Sequence, residues 1–344
     1  MKLLVTGGAG FIGANYVLSR LAEYEDDSVA VLDALTYAGN LESLAPVRSE
    51  PRFSFHRVDI RDVKATGLVF DTIRPDYVVH FAAESHVDRS ILGPRVFTET
   101  NVLGTQVLLD HARRTNVSRF LMVSTDEVYG SLGATGAFTE ESSLLPSSPY
   151  SASKAAADLL ALSYQHTFGL DVVVTRCSNN YGPYQFPEKL IPLMVLNAMA
   201  DRPLPVYGDG LQVRDWLHVS DHTSALNVVL ERGRSGEVYN VGGRNEQPNI
   251  EIVRRILRHL GKPESLIQFV EDRPGHDRRY AIEPAKLESE LGWCPKWTFA
   301  EGLEETIDWY RDHRSWWERI RSGAYLEYYD QQYGRRLAVQ GDAG

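Results

Sequence analysis

Two adjacent carboxyl side chains, Asp126 and Glu127, and a tyrosine four residues before a lysine, Tyr150 and Lys154, are the groups in this chain best suited to moving protons. Positions i and i+4 of a helix share a face, so the Tyr150 phenol and the Lys154 ammonium point the same way. A phenol with an ordinary pKa of about 10 is a poor base at neutral pH, and a neighbouring ammonium stabilises its anion. Asp126 and Glu127 follow the apolar run Phe120-Leu121-Met122-Val123 and precede Val128. Two carboxyls in apolar surroundings tend to have their pKa values pushed apart, giving one acid and one base. Thr125, just before them, can hydrogen-bond a hydroxyl under attack. Taken singly, each motif has a plainer reading. Asp-Glu in a loop is usually a solvated turn, and tyrosine–lysine pairs occur by chance on surface helices.

A third motif changes those odds. Gly7, Gly10 and Gly13 lie in Thr6-Gly7-Gly8-Ala9-Gly10-Phe11-Ile12-Gly13, with the spacing G-x-x-G-x-x-G. Gly7 lets the chain turn sharply, Gly10 lets backbone N–H groups approach a pyrophosphate, and Gly13 lets the helix pack close to the sheet. The loop follows an apolar strand and opens a helix, and Asp33 stands twenty residues after Gly13 at the end of the next strand. A carboxylate there accepts hydrogen bonds from a ribose hydroxyl and repels a 2′-phosphate, which favours NAD over NADP. The positive nicotinamide ring of that cofactor would also favour a tyrosine phenolate. Asp59 and Ile60, after the third strand, are placed to meet the adenine.

The elements that position these groups alternate. Strands are predicted at Leu3–Val5, Val29–Leu32, Phe53–Phe55, Tyr77–Phe81, Phe120–Val123 and Val172–Val174. Helices are predicted over Phe11–Tyr24, about Val96–Arg114 and about Pro149–Phe168. This pattern implies right-handed crossovers and an α/β fold, a doubly wound parallel Rossmann sheet covered on both faces. Prolines become frequent after about Pro183, and helices over Ile250–Leu260 and Phe299–His313 dominate. The division expected is a NAD-binding domain over 1–183 and a smaller C-terminal α/β substrate lobe over 184–330. The chain has room to cross between the lobes more than once. Residues 331–344 lose periodicity and read as a flexible tail.

The 344 residues carry a net charge of -10, which disfavours nucleic acid and anionic membrane as partners. An anionic ligand therefore needs a local pocket of donors and cations. Two cysteines, Cys177 and Cys294, make neither a disulfide framework nor a metal-ligand set, so no metal is expected and a cytoplasmic setting is. No apolar run approaches membrane-spanning length.

The glycine loop, Thr125 and the Tyr150–Lys154 pair resemble the extended short-chain dehydrogenase/reductase family of nucleotide-sugar enzymes. Four further runs narrow the resemblance to the dTDP-glucose 4,6-dehydratases: Phe81-Ala82-Ala83-Glu84-Ser85-His86-Val87-Asp88-Arg89-Ser90, Thr125-Asp126-Glu127, Ser178-Asn179-Asn180-Tyr181-Gly182-Pro183 and Asp272-Arg273-Pro274-Gly275-His276-Asp277. The resemblance covers residues 1–320. It implies tightly bound NAD, regenerated in each turnover, and dTDP-glucose as substrate. Tyr150 would take the proton from the carbon 4 hydroxyl as hydride passes to NAD. Glu127 would remove the carbon 5 proton, Asp126 would protonate the departing carbon 6 hydroxyl, and hydride would return to carbon 6.

The resemblance also assigns contacts. Phe11, Ile12, Asp33, Ala34, Leu35, Thr36, Asp59, Ile60, Phe81, Ala82, Ala83, Ser85, Thr100, Tyr150, Lys154 and Asn180 fall at NAD positions. Ser85, Thr125, Asn179, Lys189, Leu190, Pro205, Val206, Tyr207, Arg214, Asn249 and Asp272 to His276 (Asp272, Arg273, Pro274, Gly275, His276) fall at substrate positions. Arg214 and Arg273 suit a diphosphate, since a guanidinium fork matches phosphate geometry. Surface salt bridging is the commoner fate of an arginine, and Asn249 could equally be a helix N-cap. Two other functions stay open: an epimerase or decarboxylase of the same fold, which needs no Asp-Glu pair, and a non-catalytic NAD-sensing protein. A homodimer is expected through the helices near 97–114 and 150–167, where Val102, Val107, Leu108, Leu159, Leu160 and Leu162 supply apolar positions.

Overall fold

The structure is a computed structural model that describes residues 1–272 and 276–320. Three assigned contacts, Arg273, Pro274 and Gly275, and the tail 331–344 lie outside the described residues.

Seven parallel strands form the main sheet. Lys2–Thr6 is central. On one side lie Ser28–Asp33 and then Phe53–Arg57; on the other lie Tyr77–His80, Arg119–Thr125, Val172–Cys177 and Val238–Val241. The chain thus winds outward in one direction, returns to the centre, and winds outward in the other. The reversal leaves a crevice at the carboxyl ends of Lys2–Thr6 and Tyr77–His80, where such sheets bind ligands. The strands read as unbroken apolar runs because alternate residues feed two cores. Leu3 and Val5 enter one apolar cluster, and Leu4 enters the other on the opposite face.

Two features refine the sequence reading. The seventh strand, Val238–Val241, lies well beyond residue 183 yet pairs with Val172–Cys177. The helix before it, Val219–Arg232, packs against the first helix, Phe11–Glu23, where buried Arg20 donates to Asn227 Oδ1 at 2.9 Å. Residues 219–241 therefore complete the Rossmann layer. Ala285–Leu291 joins them through Leu287 and Leu291, and most of the other C-terminal elements gather a separate apolar cluster that includes Ile191, Leu193, Ile252, Val253, Leu303 and Trp316.

The second is in the expected helix 96–114. It is built as Pro94–Phe97, a π-helical stretch Thr98–Gly104, and Thr105–Arg114. A π-turn accommodates an extra residue and is common at functional sites. Here it presents Asn101, whose side chain is a bracket. Asn101 Oδ1 accepts the Glu84 N–H at 2.8 Å, while Nδ2 donates to Glu84 O at 3.0 Å and to Ser153 Oγ at 2.9 Å. One side chain so ties the segment after Tyr77–His80 to the helix that carries Tyr150 and Lys154.

Candidate active site

The glycine loop leaves no room for side chains. Gly7 has φ of +70°, and a Cβ there would stand 2.5 Å from Ala82 N. A Cβ on Gly13 would stand 2.3 Å from Gly7 O, so the helix approaches the loop as closely as backbone allows. Asp33 closes the loop from the next strand: Oδ2 accepts the Ala9 N–H at 2.9 Å and Oδ1 the Leu35 N–H at 2.8 Å. Burial pushes the Asp33 carboxyl up, and these two backbone donors oppose the push.

A single cleft runs from this loop over the carboxyl ends of the strands. Gly7, Gly10 to Gly13, Asp33, Ala34, Thr36, Asp59, Ile60, Phe81 to Ala83, Ser85 and Thr100 line one part. Thr125, Asp126, Glu127, Tyr150, Lys154, Asn179, Asn180 and Lys189 line the rest. The structure thus brings the acid pair, the tyrosine–lysine pair and the glycine loop into one cavity. Leu35, Leu190, Pro205 to Tyr207, Arg214, Asn249, Asp272 and His276 do not line it.

The four proton-handling groups are held differently. The Tyr150 helix, Pro149–Phe168, starts at Ser148, which forms a reciprocal capping box with Ser151. Proline at the first position fixes where the helix begins. Tyr150 is buried, with Phe97 edge-on at 6.3 Å. Burial pushes its hydroxyl well up, Glu127 adds to the push, and a hydrogen bond with Thr125 opposes it. The lowering by Lys154 that the sequence suggested is not among the main influences on this hydroxyl. Lys154 Nζ donates to Val123 O at 2.8 Å, and burial lowers its own pKa.

Asp126 is 2% exposed, and its Oδ2 is buried without a hydrogen-bond partner. Burial, then Glu127, then Asp215 raise its carboxyl well above the usual carboxylate range, with Arg214 acting against them. Asp126 is therefore a buried carboxyl whose acid form is favoured, not a solvated turn residue. Thr125 Oγ1 accepts the Glu127 N–H at 3.3 Å and so caps the short 3-10 turn Asp126–Tyr129 that orients both carboxyls.

Arg214 is not a surface salt-bridging residue. It is 5% exposed, donates to Val213 O at 2.8 Å and Asp277 O at 2.9 Å, and lies over the Tyr280 ring at 4.4 Å. Asn249 is not an N-cap. Pro248 holds that position, and Asn249 Oδ1 is buried without a hydrogen-bond partner. His276 Nδ1 meets Asp272 Oδ1 at 2.6 Å, and Asp272 Oδ2 accepts from Gln212 Nε2 at 2.9 Å.

Sequence reasoning missed Asp158, although a signal was available. Tyr150, Lys154 and Asp158 recur at i, i+4 and i+8 on one helix face. Asp158 is fully buried, pairs with Arg176 Nε at 2.9 Å, and raises the pKa of Lys154. Arg176 in turn donates to the Tyr129 hydroxyl at 3.0 Å. Asp158→Ala leaves a buried guanidinium uncompensated and is expected to cost about 3–5 kcal/mol of stability. Urea unfolding at fixed NAD concentration measures it; a loss below about 1 kcal/mol, the scale of an exposed pair, contradicts a buried charge pair at this point.

The residues present fit NAD. The loop glycines Gly7 and Gly13 admit no Cβ, and a carboxylate stands at the second strand end. Among the described residues no group of three or more His, Cys, Asp or Glu is arranged to hold a metal ion, and no helix is long and apolar enough to cross a membrane.

Comparison with known proteins agrees with this geometry. Residues 4–306 match the family model described as GDP-mannose 4,6 dehydratase. The chain is 54% identical over 340 residues to a dTDP-glucose 4,6-dehydratase of Xanthomonas campestris pv. campestris, covering 94% of this chain and 96% of that one. It is 50% identical to that of Escherichia coli, covering 94% and 98%. Among solved structures, the dTDP-glucose 4,6-dehydratase of Streptomyces venezuelae with NAD bound superposes with a TM-score of 0.90 at 53% identity, over 93% of this chain and 100% of that one. A UDP-glucose 4-epimerase of Thermus thermophilus in complex with NAD superposes at 0.85, with 34% identity, over 91% and 100%. The chain belongs to the dTDP-glucose 4,6-dehydratase family of the extended short-chain dehydrogenases/reductases.

Proposed function

We propose that this protein is an NAD-dependent hydro-lyase that converts dTDP-glucose to dTDP-4-keto-6-deoxyglucose and water. One observation carries the reading: a buried Asp126 whose acid form is favoured and the Glu127 carboxyl share a cleft with Tyr150 and a dinucleotide loop. The family relationship supports the same conclusion and favours the dTDP nucleotide.

NAD, held by the glycine loop and Asp33, supplies hydride acceptance at carbon 4 and hydride return at carbon 6. The chain's residues do the rest. Thr125 holds the carbon 4 hydroxyl, and Tyr150 takes its proton. Lys154 places positive charge beside the Tyr150 oxygen, and Asp158 keeps that charge in place. The resulting ketone acidifies carbon 5, from which Glu127 removes a proton. Asp126 gives its proton to the carbon 6 hydroxyl, which leaves as water. An elimination needs an acid and a base on hand, and these neighbours supply one of each. Ser85, Asn179 and Lys189 line the cleft and bind the sugar nucleotide, while Arg214 and Asn249, outside that lining, are the further contacts that the family relationship suggests. Arg214 is already oriented by its bonds to Val213 and Asp277, so little ordering is lost on meeting a diphosphate.

The epimerase reading is the one the superposition with a 4-epimerase keeps in view, and it has no use for an acid poised beside a base. The deciding experiment is turnover of purified protein with dTDP-, UDP- and CDP-glucose and no added NAD. A 4-keto-6-deoxy product from dTDP-glucose supports the proposal; a 4-epimer overturns it.

The working unit is a homodimer in the cytoplasm. Leu103 and Leu159, on the two helices singled out in the sequence, are 52% and 58% exposed, and a second copy would cover them. Both cysteines are free thiols, which suits a reducing compartment. Light scattering that gives one chain's mass at micromolar concentration would contradict the dimer.

A further inference from the structure

Three segments distant in sequence build one wall of the cleft. Thr36, Ala38 and Gly39 follow the ribose carboxylate; Ser85 follows the fourth strand; Phe186 and Lys189 stand on the sugar-nucleotide side. Glu188 sits at their junction, with a side chain only 2% exposed. Its Oε2 accepts from Arg89 Nε at 3.3 Å and Nη2 at 3.1 Å, and its Oε1 stands 3.9 Å from His86 Nε2. The Arg89 guanidinium lies over the Tyr37 ring at 4.0 Å. Tyr37 meets the Phe186 ring edge-on at 5.8 Å, and Phe186 is two residues from Glu188. Next to it, Lys189 Nζ donates to Ser85 O at 3.1 Å. The contacts close a circuit: 188 to 89, 89 to 37, 37 to 186, and back along the chain.

We propose that Glu188 is a positioning residue that couples the two ends of the cleft, so that a nucleoside diphosphate gripped on the Lys189 side tightens the hold of residues 36–39 on NAD. The inference rests on the dehydratase reading. Such coupling suits that reaction, because hydride taken at carbon 4 is returned at carbon 6 only if the cofactor stays bound throughout. The physical basis is the buried charge. A carboxylate paired with a guanidinium fork has one favourable geometry, and the stacked Tyr37 ring transmits it to the ribose loop. Coupling of this kind is reciprocal: whatever dTDP does for NAD, NAD does for dTDP.

The test follows release of NAD from the holoenzyme into a chase of excess labelled NAD, with and without saturating dTDP. In the wild type, dTDP is expected to slow release about tenfold, within the usual range for coupled sites. In Glu188→Gln, which keeps the shape and removes the charge, the factor should fall below about twofold. KM for dTDP-glucose should rise about tenfold while kcat at saturating NAD and substrate moves less than about threefold, a split that general destabilisation would not produce. Arg89→Lys loses the fork and the ring contact but keeps the charge, and should show a coupling factor between the two. It carries the test if Glu188→Gln does not fold. Equal slowing by dTDP in wild type and variants, or none in the wild type, overturns the coupling. Absence of any turnover of dTDP-glucose by the wild type overturns the dehydratase reading instead, so the two failures are distinct.

Discussion

With Asp126→Asn and Glu127→Gln combined, formation of the 4-keto-6-deoxy product should fall by at least about 10³-fold, since each proton-transfer residue typically contributes 10²–10⁴. The amides keep the size and the hydrogen-bonding edges of the carboxyls, so the cleft is not expected to collapse. Oxidation at carbon 4 does not depend on this pair. Substrate should therefore still reduce the bound cofactor, and the near-ultraviolet absorbance of reduced nicotinamide should build up instead of passing through a transient. Stopped-flow absorbance and product analysis measure both effects. Near-normal turnover would show that no elimination uses these groups and would favour the epimerase. The single variants should separate the roles. The Asp126 pKa is raised, so its acid form persists to higher pH than that of an ordinary carboxyl and is lost as pH rises through the raised value. Wild-type activity should thus decline on the alkaline side, and Asp126→Asn should abolish that decline in whatever activity remains.

Tyr150→Phe should lower kcat by about 10²–10⁴-fold with little change in substrate affinity, because the phenol oxygen acts on the hydroxyl only as its proton leaves. Here the cofactor should stay oxidised when substrate is added, the reverse of the double carboxyl variant. The pair of results orders the steps: without Tyr150 no hydride leaves carbon 4, and without Asp126 and Glu127 hydride leaves but water does not. A loss of less than about tenfold would mean that another group takes the proton. The structure adds a reason for the size of the effect. Burial and the neighbouring Glu127 push the Tyr150 hydroxyl up, so its anion depends on positive charge delivered to the site. Lys154, held by Val123 O and with its charge favoured by Asp158, is the cation on the same helix face.

Much of this site was legible before any coordinates. The glycine loop could be read because its geometry tolerates one residue type, and Gly7 and Gly13 indeed leave no space for a Cβ. The strands could be read because a sheet buried on both faces leaves no alternation to misread. Asp126 and Glu127 stood out because charge between Val123 and Val128 is costly unless used. What was hidden depends on approach in space. Val238–Val241 is a short apolar run like others in the C-terminal half, and nothing local says that it rejoins the main sheet. The bracket formed by Asn101 needs the π-turn at Thr98–Gly104, and one extra residue in a helix leaves no compositional mark. Glu188 reads as an ordinary acidic loop residue until Arg89 and Tyr37 are seen beside it. The lowering of Tyr150 by Lys154 was overvalued, since a sequence shows which charges are near but not how deeply they are buried.

That hydride is borrowed and returned within one turnover is settled by an isotope. dTDP-glucose carrying deuterium at carbon 4 should yield 4-keto-6-deoxy product with that deuterium at carbon 6, with no NAD added and no label lost to solvent. Product with deuterium still at carbon 4, or with label washed out, would contradict the reaction proposed for Tyr150, Asp126 and Glu127.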